Sequence, residues 1–173
     1  MAGPIVIRQL SQSSPRGILQ FGAFRFPCAL GRAGVRAIKR EGDGATPQGV
    51  FGIRGVFYNA QNAARPTTHL SLSIIGPDDG WCDAVGNRNY NRPVQHPYEA
   101  SAERMVRSDA LYDVVVVLDY NIQPRVQGLG SAIFMHVART DYEPTEGCIA
   151  LAMPHLRRLL AHLRPTTRVL LGR

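Results

Sequence analysis

Lysine is almost missing from this chain. Of its 20 basic residues Lys39 is the one lysine, and the rest are arginines scattered from Arg8 to Arg173. Against 13 acidic residues they leave a net charge of +7. They form no basic run, no stretch interleaved with stacking aromatics and no nucleic-acid motif, so nucleic acid is not the expected partner. A diffuse positive field of this kind suits an acidic polymer without identifying one. Long apolar runs are missing too. No segment approaches the roughly 18–20 apolar residues that cross a bilayer, so no membrane span is expected. The opening "MAGPIVIRQL" has no charged leader followed by an apolar block, and no signal peptide is visible in it. Cysteine is scarce: Cys28, Cys82 and Cys148 are an odd number with no C-x-x-C pair. The five histidines show no H-E-x-x-H or other ligand spacing. No metal and no organic cofactor is expected. Repeats, low-complexity tracts and linkers are likewise absent. At 173 residues and 45% hydrophobic composition, the chain 1–173 reads as one domain with a substantial core.

What is present is strand-rich first and helical at the end. Pro4–Gln9 and Gly17–Pro27 read as strands, the second with Leu19, Phe21 and Ala23 alternating with their neighbours. A strand opens "GVRAIKREGDGATPQGVFGIRGVFY", breakers follow, and a second strand runs from about Val50 to Tyr58. Thr68–Ile75 alternates again, with Leu70, Leu72 and Ile74 on one side. Gly76–Pro97 reads as a long loop, of the kind that is usually functional. Ser101–Ser108 suits a short helix with Ser101 as its N-cap. "YDVVVVLDYN" and Ser131–Val137 read as buried strands, apolar on both faces. In "PHLRRLLAHLRP" Pro154 stands at the helix start, and Leu156, Leu159, Leu160 and Leu163 form one stripe. "RVLLG" closes the chain as a strand. The expected class is mainly β with one or two short helices.

Two residues carry the chemistry. His136 sits in the strand Ser131–Val137 on the face of Ala132 and Phe134, where burial favours a neutral ring able to accept a proton. Cys148 ends the loop Pro144-Thr145-Glu146-Gly147-Cys148. Gly147 lets the backbone turn sharply there, and loop amides can point at a developing oxyanion. A thiol nucleophile needs a base and oxyanion donors, and this pair can supply them. Cys82, in "GWCDAV", is a competing thiol but packs beneath Trp81, and Cys28 reads as core. His155 and His162 lie on the edge of the last helix and read as solvated.

The segments "IFMHV" and "TEGCIAL" resemble the signature of the L,D-transpeptidase family of the YkuD type, bacterial enzymes that remodel peptidoglycan. That signature is a histidine ending a buried strand, then S/T-x-G-C and an apolar residue, matched by Thr145, Gly147, Cys148 and Ile149. "KREGDGATPQGVFGI", "GWCDAVGNRNYN" and "SAERMVRSDALYDVVVVLDYN" extend the similarity, toward a compact branch of the family, from about residue 37 to 173. Two positions depart: Glu146 replaces a histidine, and Ala150 replaces an arginine thought to shape the substrate contacts. The His136–Cys148 spacing is also shorter than usual.

The resemblance implies a sandwich-like domain with a mixed β-sheet and the helix after Cys148 packed on it. It implies a Cys148 nucleophile, His136 as base, and oxyanion donors at the backbone of Cys148 and Gly147, with Thr145 and Glu146 near substrate. It implies peptidoglycan stem peptides as donor and acceptor, acylation by carbapenem-type inhibitors, and a periplasmic location. A cysteine carboxypeptidase or amidase, or a non-catalytic peptidoglycan-binding domain, stays open beside the transpeptidase. The group orienting His136 is open too: a backbone carbonyl, or Asp113, Asp119 or Tyr120.

Overall fold

The computed structural model describes residues 3–12 and 14–172. Strands β1 (Ile5–Gln9), β2 (Arg16–Phe21) and β3 (Phe24–Ala29) form an antiparallel meander. The run Gly17–Pro27, expected as one strand, folds as two. Phe21 and Phe24 pair across a two-residue turn in which Gly22 takes a φ of 56°. Glycine enters that region at no steric cost, as a type II′ hairpin requires. The turn is otherwise apolar, so composition does not announce it.

Next come a short parallel pair, β4 (Val35–Arg36) with β5 (Thr46–Pro47), and then β6 (Gly49–Phe51), β7 (Ile53–Tyr58) and β8 (Leu72–Ile74). The loop expected over Gly76–Pro97 contains β9 (Asp79–Cys82) and β10 (Arg92–Gln95). The helix expected over Ser101–Ser108 is instead β11 (Ala102–Arg104), with Glu103 opposite Trp81. Eight residues are too few to hold a helix unaided, and pairing with β9 decides the conformation. The chain ends with β12 (Val114–Leu118), β13 (Phe134–Val137), β14 (Ile149–Leu151), helix α1 (Met153–Leu160) and β15 (Val169–Gly172).

Ten strands make one mixed sheet in the order β6-β15-β1-β2-β3-β14-β13-β12-β7-β8. Gly52 alone joins β6 at one edge to β7, one strand in from the other edge. The sheet must therefore curl until its ends approach. Asp119 clasps the junction: its carboxylate accepts the Gly52 N–H at 2.8 Å, and its own N–H reaches the Gly52 carbonyl at 3.0 Å. A Cβ at position 52 would lie 2.6 Å from the Asp119 carboxylate and the Arg168 guanidinium. A side chain there would have to displace those two groups and disturb the clasp.

Inside the curl, Ile5, Ile7, Leu19, Val116, Met135 and Leu151 pack against Leu156, Leu159 and Leu160 of α1 and against Leu163. The leucine stripe expected of the helix is this buried face. On the other side of the sheet Val115, Val117, Phe134, Trp81 and Met105 form a second cluster, to which the small sheet β10-β9-β11 contributes. β12 is thus buried on both faces, which its unbroken valines require. β8 is an edge strand of three residues. Leu70 is buried but Ile74 is exposed, so the single apolar face expected over Thr68–Ile75 does not form. His155, expected in solvent, stacks on Phe26 at 4.5 Å, and His162 meets Phe24 at 5.0 Å. No described helix is long and apolar enough to cross a membrane.

Candidate active site

β13 and β14 run parallel, with His136 opposite Ala150 and Met135 opposite Ile149. That register puts Cys148 at the entrance of β14, beside the strand that carries the histidine. His136, Cys148, Thr145, Glu146 and Gly147 all line one cavity of about 490 Å³. The twelve-residue separation is closed by tertiary pairing, and the residues that sequence pattern singled out share one site. Of the three cysteines, Cys28 and Cys82 are buried and Cys148 is partly accessible.

The strand expected from Ser131 begins only at Phe134, because Ala132 adopts a φ of 52°. A left-handed conformation at a non-glycine residue is strained and tends to occur where surrounding structure enforces it. Here the Ala132 carbonyl accepts the Cys148 thiol proton at 3.1 Å, while the Phe134 amide donates to the sulfur at 3.4 Å. The turn before the cysteine is held by Thr145, whose hydroxyl donates to the Cys148 carbonyl at 2.7 Å and accepts the Gly147 N–H at 3.1 Å. Gly147 has a φ of 139°, and a Cβ there would lie 2.8 Å from the Ala45 carbonyl oxygen. Of the two amides expected as oxyanion donors, Gly147 is therefore engaged inside the turn. The Cys148 N–H meets no acceptor among the described residues.

His136 is 5% exposed, and burial lowers its pKa from 6.5 to about 4. Its Nδ1 lies 2.8 Å from the Val137 carbonyl oxygen. A carbonyl can only accept, so Nδ1 carries the proton and Nε2 holds the lone pair of a neutral ring. Burial, followed by the negative charge of Glu103, pushes the Cys148 thiol up to about 12, against the pull of the Phe134 amide and Lys39. The resting pair is a neutral thiol and a neutral imidazole. The group that fixes the imidazole is thus a backbone carbonyl. Asp113 accepts from Asn62, Asp119 clasps Gly52, and Tyr120 donates to the Leu129 carbonyl.

Sequence pattern passed over two neighbours. The Tyr112 ring meets His136 edge-on at 5.3 Å, and its hydroxyl donates to Glu103. Burial raises the pKa of both Tyr112 and Glu103. Glu103 falls in the segment expected as a helix, and Tyr112 opens the run expected as a buried strand, so neither position by itself announces a place at the site. Glu146, at the cavity rim, forms an ion pair with Arg32 at 2.9 Å, both side chains more than half exposed. Ala150 is 1% exposed, in register with His136. Guanidinium charge reaches the cavity from elsewhere, through Arg107 and Arg139, which share Asp109 at 2.6 and 3.2 Å.

A family model described as the L,D-transpeptidase catalytic domain, YkuD, matches residues 20–171. No curated protein and no solved structure matches the chain.

Proposed function

Because the chain belongs to the L,D-transpeptidase catalytic domain family, we propose that it forms crosslinks between peptidoglycan stem peptides through a thioester on Cys148, with His136 as base. The family is one of cysteine-dependent enzymes acting on peptidoglycan. The observation that carries the residue assignment is the shared cavity, lined both by the one partly accessible cysteine and by a buried histidine whose Nδ1 is tied to a carbonyl.

With both groups neutral at rest, the chemistry is general-base attack, not use of a preformed ion pair. The thiol proton turns from the Ala132 carbonyl to His136 Nε2 as Sγ attacks a carbonyl of the donor stem. The C–S bond forms, and the oxyanion takes the unengaged Cys148 N–H. Collapse breaks the C–N bond, and His136 returns the proton to the leaving amine. The amine of a second stem then attacks the thioester, giving up its proton to His136, and releases Cys148 as the thiol. The same path would let a carbapenem carbonyl acylate Cys148. Thr145 supports this geometry by holding the turn, and Glu146 stands at the rim where a stem would enter. Stem peptides lie beyond the cytoplasmic membrane, so we place the reaction in the periplasm.

The test is intact-mass analysis after incubation with a tetrapeptide stem. The expected result is a thioester adduct in wild type and in Cys82→Ala, none in Cys148→Ala, and a crosslinked dimer when acceptor stem is added. An adduct that survives Cys148→Ala would overturn the assignment. Hydrolysed donor with no dimer at high acceptor concentration would make the protein a hydrolase instead.

A further inference from the structure

A second cavity, of about 280 Å³, opens between β7, β8, β12 and the small sheet, and three arginines border it: Arg54, Arg92 and Arg125. Among the described residues no carboxylate lies within ion-pair distance of any of them. Elsewhere the chain does pair such groups, as Arg107 and Arg139 do with Asp109. The Nε of Arg125 is occluded and meets no hydrogen-bond partner among the described residues, while the rest of the guanidinium is open to solvent. An occluded donor without a partner is unfavourable, and an incoming acceptor would satisfy it. Burial and the nearby positive charge of Arg92 lower the pKa of Arg125, so these two like charges lie close to one another.

The remainder of the lining sets the shape of the missing partner. Ser71 and Ser73, two apart on one face of the edge of the sheet, add hydroxyl donors to the rim. The floor is apolar and comes from Gly55, Phe57 and Val117, with Trp81 as one wall. Gly55 pairs with Val117 in register and has no side chain, which leaves the space open. A Cβ there would meet nothing closer than 3.5 Å, so packing does not demand glycine at this position.

We propose that this cavity is a binding site for a small organic carboxylate, its oxygens held by the Arg54–Arg92–Arg125 rim and its aliphatic body resting on the Gly55–Val117 floor. Arginine forks match a carboxylate bidentately, and the apolar floor favours an organic anion over an inorganic one. The volume suits a group the size of one amino acid. The site lies on the same side of the sheet as the thiol, beyond Trp81, and does not depend on the reaction proposed for Cys148.

Trp81 is the chain's single tryptophan, so its fluorescence reports from the wall of this cavity. The experiment is a fluorescence titration of the full chain with N-acetyl-D-alanine, N-acetyl-D-alaninamide and inorganic phosphate. The expected result is saturable binding of the carboxylate, at least tenfold weaker binding of the amide, and weaker binding of phosphate. Cys148→Ala should bind N-acetyl-D-alanine as wild type does. Arg125→Gln should weaken it by about tenfold or more, and Gly55→Leu, which fills the floor while keeping every charge, should abolish it. Circular dichroism melts confirm that both variants are folded. Equal binding of acid and amide, phosphate binding as tightly as the acid, no saturable response, or a response unchanged in folded Arg125→Gln and Gly55→Leu would each overturn the proposal.

Discussion

Cys148 should be a slow thiol until a substrate recruits its base. Its pKa stands at about 12 and that of His136 at about 4, both displaced by burial in the direction of the neutral form. At pH 7 the thiolate fraction is then on the order of 10⁻⁵, against roughly 3% for an ordinary cysteine near pKa 8.5. The ratio is about three orders of magnitude. Part of that gap will be recovered by the higher intrinsic nucleophilicity of a more basic thiolate. Iodoacetamide labelling of Cys148, followed site by site by peptide mass analysis, should give a rate at least 100-fold below that of free cysteine at pH 7. It should climb about tenfold per pH unit through pH 9 without a plateau. His136→Ala should keep that slope, because labelling draws on the thiolate fraction and not on the base, and should lose only the thioester adduct formed with donor stem. A plateau with its inflection below about pH 6 would mean a thiolate–imidazolium pair, and would refute both the resting state described above and the general-base step built on it.

Three further outcomes follow from the same geometry. Folded His136 has a depressed pKa, so its contribution to stability is intact above the unfolded value of 6.5 and is lost as pH falls toward about 4. Urea unfolding of wild type should lose up to about 3 kcal/mol over that window, and His136→Gln, which keeps a donor for the Val137 carbonyl, should flatten the decline; an equally steep decline in the variant would show that other groups cause it. Gly147→Ala places a Cβ 2.8 Å from the Ala45 carbonyl at a φ of 139°, so it should displace the cysteine turn and cut the rate of acylation at least 100-fold, read by stopped-flow with a chromogenic carbapenem. Glu146→Gln should leave acylation within about threefold of wild type and cost under 1 kcal/mol in thermal unfolding, because the pair with Arg32 is solvent-exposed and the amide of Cys148 survives the change; complete loss of acylation would put the carboxylate into the chemistry.

Sequence by itself determined the elements whose pattern is carried by their own residues. Val114–Leu118 reads as a strand covered on both faces from its unbroken β-branched residues, and the leucines of α1 read as one buried stripe from their 3.6 spacing, since both signals are local properties. It also marked Gly147-Cys148 and His136, because a thiol after a glycine turn and a histidine in a buried strand are legible as residue types in order. Tertiary structure decided the rest. That Ile53 follows Phe51 by two residues yet lies across the sheet from it depends on the curl and on Asp119, which no window of sequence contains. Ala102–Arg104 became a strand because β9 offered it a partner, not through its own preference. The protonation of the site is likewise a consequence of the fold. The neutral state of Cys148 and His136 comes from burial, from Glu103 brought in on β11, and from a Val137 carbonyl that every residue possesses and no sequence distinguishes. Residue types travel with the chain, whereas desolvation and the direction of a backbone dipole exist only once distant segments have packed.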